Sequence, residues 1–269
     1  MHFYSEGYDS RMTPKIIHYV WVGDAPKPPI VQKCIESWKK FCPGWEIREW
    51  GGESLTGVDC RYPHEALEHR KWAFVSDYLR LKLLSEHGGF YFDTDLELLK
   101  PIDEFLSNDF TTGFIDGKSA VYLNMCFIGA APGNRIVTEM LDQYSSLRFM
   151  KPDGELDQTP NVVRFANYFQ TRGFDFSCAR ATVEISRNEK IYPVEYFNSL
   201  SGYAYHHLAA SWVDSWVRKV WLKFGQYKLV RFKRRLRAEN SPLNLLPNER
   251  VLFKIGFGER KILCLTIID

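Results

Sequence analysis

Hydrophobic and polar positions along the first hundred residues switch between a period near two and a period near 3.6, which outlines a β-α-β opening. Lys15 to Trp21 reads Lys-Ile-Ile-His-Tyr-Val-Trp, a β-branched and aromatic run that suits a buried first strand. Gly23 to Pro29 holds three prolines and is read as the loop that follows. Ile30, Cys34, Ile35 and Trp38 then recur at helical spacing, and Pro43-Gly44 ends that helix before a second strand-like run, Trp45 to Trp50. Residues 66 to 87 carry the longest helical pattern, with Phe74, Tyr78, Leu81 and Leu84 on one side, and Gly88-Gly89 signals a left-handed cap. Phe90-Tyr91-Phe92 is a short buried strand that runs directly into Asp93-Thr94-Asp95. Further along, Thr159-Pro160 predicts an N-cap and first helical residue. Val213, Trp216, Val217, Val220, Trp221, Phe224 and Tyr227 recur at helical spacing among cations, and Arg250 to Asp269 reads as one or two strands.

Composition narrows the class. With 45% hydrophobic and 25% charged residues in 269, the chain matches folded domains and not disordered or fibrous ones. No stretch approaches the ~18 apolar residues of a spanning helix, and the first residues lack the basic patch and apolar run of a signal peptide, so a cytosolic location is expected. The six cysteines are scattered without a C-x-x-C pair and are read as reduced thiols. The net charge of +2 is unevenly placed: residues 218 to 237 hold nine cations and no carboxylate, leaving the rest of the chain net acidic. Residues 214–269 are therefore expected to form a basic amphipathic extension, with an anionic membrane surface as partner through residues 214–240. Nucleic acid is not expected, because no base-reading or stacking module accompanies the basic run.

The candidate chemistry sits at the tip of the third strand. Two carboxylates separated by one residue, Asp93 and Asp95, lie beyond the carboxyl end of a hydrophobic strand, where ligands bind in open α/β sheets. Such a pair can face a divalent cation held by oxygen ligands and shared with phosphates. A bare D-x-D is expected about once by chance in a chain of this length, so the surrounding residues must supply the specificity.

They do so by resemblance. Phe74-Val75-Ser76-Asp77-Tyr78-Leu79-Arg80-Leu81, followed by Gly88-Gly89-Phe90-Tyr91-Phe92-Asp93-Thr94-Asp95, resembles the D-x-D block of glycosyltransferase family 32. That family contains bacterial capsular-polysaccharide and fungal mannosyl transferases, with the large clostridial glucosylating toxins as distant relatives. The likeness extends to Pro14 to Trp21, Cys34 to Trp38, Ile191-Tyr192-Pro193, Tyr196-Phe197, His206-His207 and Ser211-Trp212, covering about residues 13 to 213. It implies a GT-A catalytic domain over residues 13–213, a mixed central sheet flanked by helices. It also implies a nucleotide-sugar donor with UDP-sugar favoured, Mn²⁺ or Mg²⁺, and transfer with retention of configuration. The acceptor implied is a glycan or lipid-linked glycan, in capsular or other surface polysaccharide synthesis at the cytosolic membrane face.

Carried over residue by residue, the resemblance implies Asp93 and Asp95 as metal ligands, joined by His206 or His207. Asp77 and Arg80, three apart on one helix face, would hold the donor's hydroxyls and phosphate. Val20 and Trp21 would meet the nucleobase, with an indole face available for stacking. Tyr91 and Asp93 would line the donor site, and Ser211 and Trp212 would close over the diphosphate with hydroxyl and indole donors. Asn124 matches an asparagine that touches the donor sugar, which completes a catalytic set of Asp77, Arg80, Asp93, Asp95 and Asn124. The chain departs from the family at Gly133-Asn134-Arg135, where His-Pro is usual. No residue presents itself as general base, which suits an acceptor hydroxyl passing its proton to a phosphate oxygen. Two other readings start from the same residues: a haloacid-dehalogenase-like Mg²⁺ phosphatase, against which Glu97 stands, and a non-catalytic sugar-nucleotide or lipid-binding domain.

Overall fold

The computed structural model describes residues 12–116, 121–174, 181–207, 216–224, 227–234, 249–256 and 261–268. The chain divides into two compact units, Met1–Leu208 and Ala209–Asp269.

The first unit is mixed α/β. Its strands are β1 (Ile16–Val20), β2 (Glu46–Trp50), β3 (Gly89–Phe92), β4 (Leu96–Leu98), β5 (Phe110–Asp116), β6 (Val121–Leu123), β7 (Phe127–Ala130), β8 (Val183–Ser186), β9 (Glu189–Tyr192) and β10 (Ala204–His206). The main sheet runs β2-β1-β3-β7-β5-β9-β8, with β6 added to β5, while β4 and β10 form a separate antiparallel ribbon. β1 is parallel to β2 and β3, and β5 is parallel to β9; the remaining pairs are antiparallel. Helices α1 (Pro29–Phe41), α2 (Arg61–Glu68), α3 (Trp72–His87), α4 (Arg135–Gln143), α5 (Asn161–Gln170) and the single turn α6 (Val194–Phe197) complete it.

β3 lies between β1 and β7 and is buried along its whole length, which is why Phe90-Tyr91-Phe92 is unbroken hydrophobic text. Its side chains alternate between two cores. Phe90 and Phe92 join Ile17, Tyr19 and Trp38 of α1, whereas Tyr91 joins Val20 and the inner face of α3. The reversal from α3 into β3 depends on Gly88 and Gly89, at φ 63° and 96°. A Cβ at Gly89 would stand 2.6 Å from the Ile16 carbonyl oxygen, so the glycine also permits the close approach of β1. Asn134 departs from the family pattern for a structural reason: its side chain caps α4, accepting from the N–H groups of Ile136 and Val137 at 3.0 and 3.3 Å. Pro160, one residue later than Thr159, occupies the N-cap of α5.

Two expectations give way. The single helix over 66–87 is two, α2 and α3, separated at Arg70, whose φ is 54°. The Lys71 N–H reaches the Ala66 carbonyl and the Arg70 N–H reaches the Leu67 carbonyl, which is the bonding of a left-handed helix stop. Glycine or asparagine usually marks that stop; an arginine there hides it from sequence reading.

The second correction concerns the basic extension. The amphipathic helix expected around residues 213–227 is replaced by strands β11 (Trp216–Phe224) and β12 (Tyr227–Arg234), which with β13 (Glu249–Gly256) and β14 (Lys261–Ile268) form an antiparallel sheet ordered β11-β12-β14-β13. Residues four apart share a face in a regular strand as well as in a helix, so that spacing alone did not discriminate. The β-branched and aromatic content favours strands, and β11 pairs with β12 antiparallel from Trp216 opposite Arg234 to Phe224 opposite Tyr227. Among the described residues no helix is long and apolar enough to cross a membrane.

Candidate active site

The site grows from the last residue of β3. One step past Phe92, which pairs with Phe127 of β7, the Asp93 N–H donates to the Cys126 carbonyl at 3.0 Å and fixes where the carboxylate begins. Asp93 Oδ1 accepts the Tyr91 hydroxyl at 2.9 Å and stands 3.3 Å from Arg80 Nη2. Arg80 reaches in from α3 and is almost entirely buried. The same Nη2 lies 2.9 Å from Asp77 Oδ1 and 3.2 Å from Ser76 Oγ, while Nη1 donates to the Met125 carbonyl at 2.7 Å. Its guanidinium covers the Tyr91 ring at 4.6 Å. Asp77 and Arg80 thus share a helix face as the spacing implied, but they face the protein interior.

Asp77 is further held by α5. Its Oδ2 accepts the Asn161 N–H at 3.1 Å, and its own carbonyl accepts the Asn161 amide at 2.7 Å. Burial pushes the Asp77 carboxyl above its usual range, the Asp93 charge adds to that, and Arg80 with Asn161 only partly offsets it. Two carboxylates compete for one guanidinium.

The other half of the site comes from the β4–β10 ribbon. His206, paired with Leu96, sets Nε2 3.1 Å from Asp95 Oδ1 and Nδ1 3.2 Å from Cys126 Sγ. Burial disfavours the imidazolium, but the hydrogen bond and charge of Asp95, with Asp93 behind it, raise the His206 pKa above its ordinary value. His207 is not part of this group. It is occupied by Glu97 at 2.7 Å, a carboxylate that also holds Lys33 at 2.7 Å.

Among the described residues, Asp93, Cys126 and His206 are the trio whose ligand atoms converge, each within 4.8 Å of the others. Sequence reading missed Cys126. A lone cysteine inside an apolar segment carries no spacing signal, and only the β3–β7 register brings it beside Asp93. Burial first, then the neighbouring Asp93 carboxylate, push its thiol well above the ordinary range. Asn124 stands behind the site: it is fully buried, its Oδ1 accepts the Cys126 N–H at 3.0 Å, and its amide donates to the Phe197 carbonyl at 3.3 Å. It positions the Cys126 turn. Val20 is in the core, while Trp21 is partly exposed, its indole N–H donating to the Ala25 carbonyl at 2.9 Å. Ser211 and Trp212 lie outside the described residues.

The first unit is thus an α/β sheet that delivers a D-x-D pair to a strand tip. Residues 28–111 match the family model described as a glycosyltransferase sugar-binding region containing a DXD motif. The matched region contributes to a mixed central sheet flanked by helices. Over 133 residues the chain is 29% identical to an uncharacterized glycosyltransferase of Acanthamoeba polyphaga mimivirus, a stretch that covers 46% of this chain and 53% of that relative. The chain thus spans about half of that protein's length. Among solved structures, the PaToxG glycosyltransferase aligns at 20% identity and TM-score 0.42, covering 61% of this chain and 72% of that one. A transferase carrying two cysteine-to-serine substitutions aligns at 11% identity and TM-score 0.38, covering 67% and 94%.

Proposed function

We propose that this chain is a retaining, divalent-metal-dependent glycosyltransferase that moves a sugar from a nucleotide-sugar, UDP-sugar favoured, to a glycan or lipid-linked glycan acceptor of a capsule or other surface polysaccharide. The observation that carries this reading is that the D-x-D pair of the matched sugar-binding region meets His206 at the tip of β3, where ligand atoms of Asp93 and His206 lie within 4.8 Å of one another and Asp95 lies 3.1 Å from His206 Nε2. The donor set suits a divalent cation: carboxylates satisfy Mn²⁺ and Mg²⁺, and an imidazole favours Mn²⁺ of the two. Asp93 and His206 would hold the ion, with Asp95 beside them. A bound cation would neutralise charge on the departing diphosphate, a Lewis-acid contribution of several kcal/mol.

The chain's own side chains supply positioning. Arg80 is spent on Asp77, Asp93 and the Met125 carbonyl, so it acts on the donor through the carboxylates it aims. The partly exposed indole of Trp21 offers a face to the nucleobase while its N–H is held by Ala25. The acceptor hydroxyl would attack from the face of the leaving diphosphate and pass its proton to a phosphate oxygen, which requires orientation and no protein base. A donor-hydrolysis screen over UDP- and GDP-sugars with Mn²⁺ tests the reading. The expected result is turnover of one donor that Asp93→Asn lowers by a hundredfold or more, on the order expected for losing several kcal/mol of charge stabilisation. No turnover of any donor by the wild-type chain, or undiminished turnover by Asp93→Asn, would overturn it.

The second unit supports a place for this chemistry at the cytosolic face of an anionic membrane, through residues 214–240. The β11–β12 register sets Lys219 opposite Arg231, Val217 opposite Lys233 and Trp216 opposite Arg234, which gathers cations with an aromatic residue toward one end of the sheet. Phosphatidylserine vesicles should sediment the protein and phosphatidylcholine vesicles should not; equal sedimentation with both refutes it.

A further inference from the structure

Trp21, the first residue past β1, is held by more contacts than the end of a strand requires. Its backbone N–H donates to the Trp50 carbonyl at 2.8 Å, and its indole N–H turns back to the Ala25 carbonyl at 2.9 Å, so the ring lies against its own loop. That loop is stiff, because Pro26, Pro28 and Pro29 fix three of four consecutive φ angles around Lys27. Lys27 then ties it to the sheet. Its ammonium meets Glu49 Oε1 of β2 at 2.6 Å, and the other carboxylate oxygen accepts the Tyr19 hydroxyl at 2.6 Å. The Lys27 carbonyl accepts the Gln32 amide of α1 at 3.2 Å. The same ammonium stands 5.9 Å from the centre of the Trp21 ring and covers one of its faces.

Folding stability does not account for this arrangement. The Lys27 and Glu49 side chains are 26% and 43% exposed, and an ion pair so open to water adds little to a fold. Burial disfavours the Glu49 charge, but the bonds from Lys27 and Tyr19 hold its carboxyl below the usual range, so the latch is closed at neutral pH. With Lys27 tied to β2 and the indole tied to Ala25, the loop has little freedom to turn the Trp21 ring, which stays partly exposed.

We propose that Lys27 and Glu49 are positioning residues for the nucleobase of the donor: their ion pair locks the proline-rich loop so that the Trp21 indole is presented in one orientation, with one face backed by the ammonium and the other left for the base. The inference rests on the nucleotide-sugar reading and deepens it, because it gives a role to two residues outside the D-x-D corner. A stacking surface that is ordered beforehand raises affinity by sparing the cost of ordering it on binding. It serves bound substrate and transition state alike, so its loss is read in KM and not in kcat.

Nucleotide binding and donor kinetics of the full-length protein test the proposal, with Mn²⁺–UDP and Mn²⁺–GDP as probes. Lys27→Met should raise the nucleotide Kd and the donor KM together, about five- to tenfold, with kcat within about twofold of wild type and an unchanged urea-unfolding midpoint. Lys27→Arg, which keeps the cation, should restore both constants. Glu49→Gln should move them the same way as Lys27→Met, and the double variant should be no worse than Lys27→Met alone, because both remove one contact. The bare nucleoside, uridine or guanosine, separates positioning of the base from a direct grip on phosphate: Lys27→Met should weaken it by the same factor. In a Trp21→Ala background, Lys27→Met should add nothing. Unchanged constants in Lys27→Met overturn the proposal, and so does a loss in kcat alone, a loss confined to the diphosphate, or a full further loss beside Trp21→Ala. Should Lys27→Met fail to fold, Glu49→Gln and Lys27→Arg decide by the same constants. Turnover with an unaltered KM in Lys27→Met sinks only this inference. Nucleotide binding that Lys27→Met weakens, without turnover of any donor, sinks only the glycosyltransferase reading, and a wild-type chain that binds neither nucleotide sinks both.

Discussion

Two polar corners lie within the first unit, and they are built on opposite charge arithmetic. In the corner beneath α5, Arg164 meets one carboxylate, Asp157, at 2.6 Å and lies over the rings of Tyr62 and Tyr144 at 5.5 Å each. Asp157 also accepts the Thr159 N–H at 3.1 Å. Burial disfavours its charge, but those hydrogen bonds override burial and hold the carboxyl below its usual range. At the tip of β3, Arg80 is divided between Asp77 and Asp93, and Asp77 moves the other way, upward. At Asp157 the hydrogen bonds outweigh burial, although Arg164 also acts on Asp77 from a distance and leaves its own Nε without a hydrogen-bond partner. One cation for two carboxylates leaves a surplus of negative charge, and that surplus is what a ligand-binding corner needs if a cation is to complete it.

Removing each arginine tests the contrast most directly. Arg80→Met leaves two carboxylates without a guanidinium in a nearly closed space and should destabilise the fold by about 3–5 kcal/mol in urea unfolding. A loss no larger than that of Arg164→Met would erase the distinction between the corners.

His18 of β1 supplies the pH axis. Its Nε2–H donates to the Gly88 carbonyl at 2.8 Å, and its Nδ1 accepts the Trp50 indole N–H at 3.1 Å, so both nitrogens are used in the neutral form. Burial foremost, with the nearby His87 and Arg48, lowers its pKa from 6.5 to about 4, against the opposing effects of Gly88 and Glu46. The unfolded chain therefore binds more protons between those values. Stability should be full above pH 6.5 and fall by about 3 kcal/mol as the pH drops toward 4. A flat urea-unfolding profile across that window would contradict the neutral assignment, and a measured slope gives the background against which carboxylate effects are read.

Arg164→Met should cost least, about 1–2 kcal/mol, because Asp157 keeps its bond from Thr159. A cost near that of Arg80 would mean that the stacked tyrosines, and not charge balance, hold that corner.

Much of this was legible beforehand. The β1-α1-β2 opening, the Gly88-Gly89 stop, buried β3 and the placement of Asp93 at its tip all follow from local pattern, because each is dictated by neighbours close in sequence. The break at Arg70 was not, since a left-handed arginine looks like any helical arginine. Cys126 and the separation of His206 from His207 were not legible either. They depend on strand register between segments 30 to more than 100 residues apart, and no local period encodes that. Residues 213–227 were misread as a helix, whereas the strand reading of Arg250 to Asp269 stands.

The ribbon of β4 and β10 therefore acts as a length gauge. His206 and His207 are chemically identical, and only their place in the register sends one to Cys126 and Asp95 and the other to Glu97. Inserting one residue ahead of Ala204 would put Tyr205 in the place of His206, and deleting one would put His207 there. The length of that short approach, and not residue type alone, decides which side chain arrives beside Cys126 and Asp95.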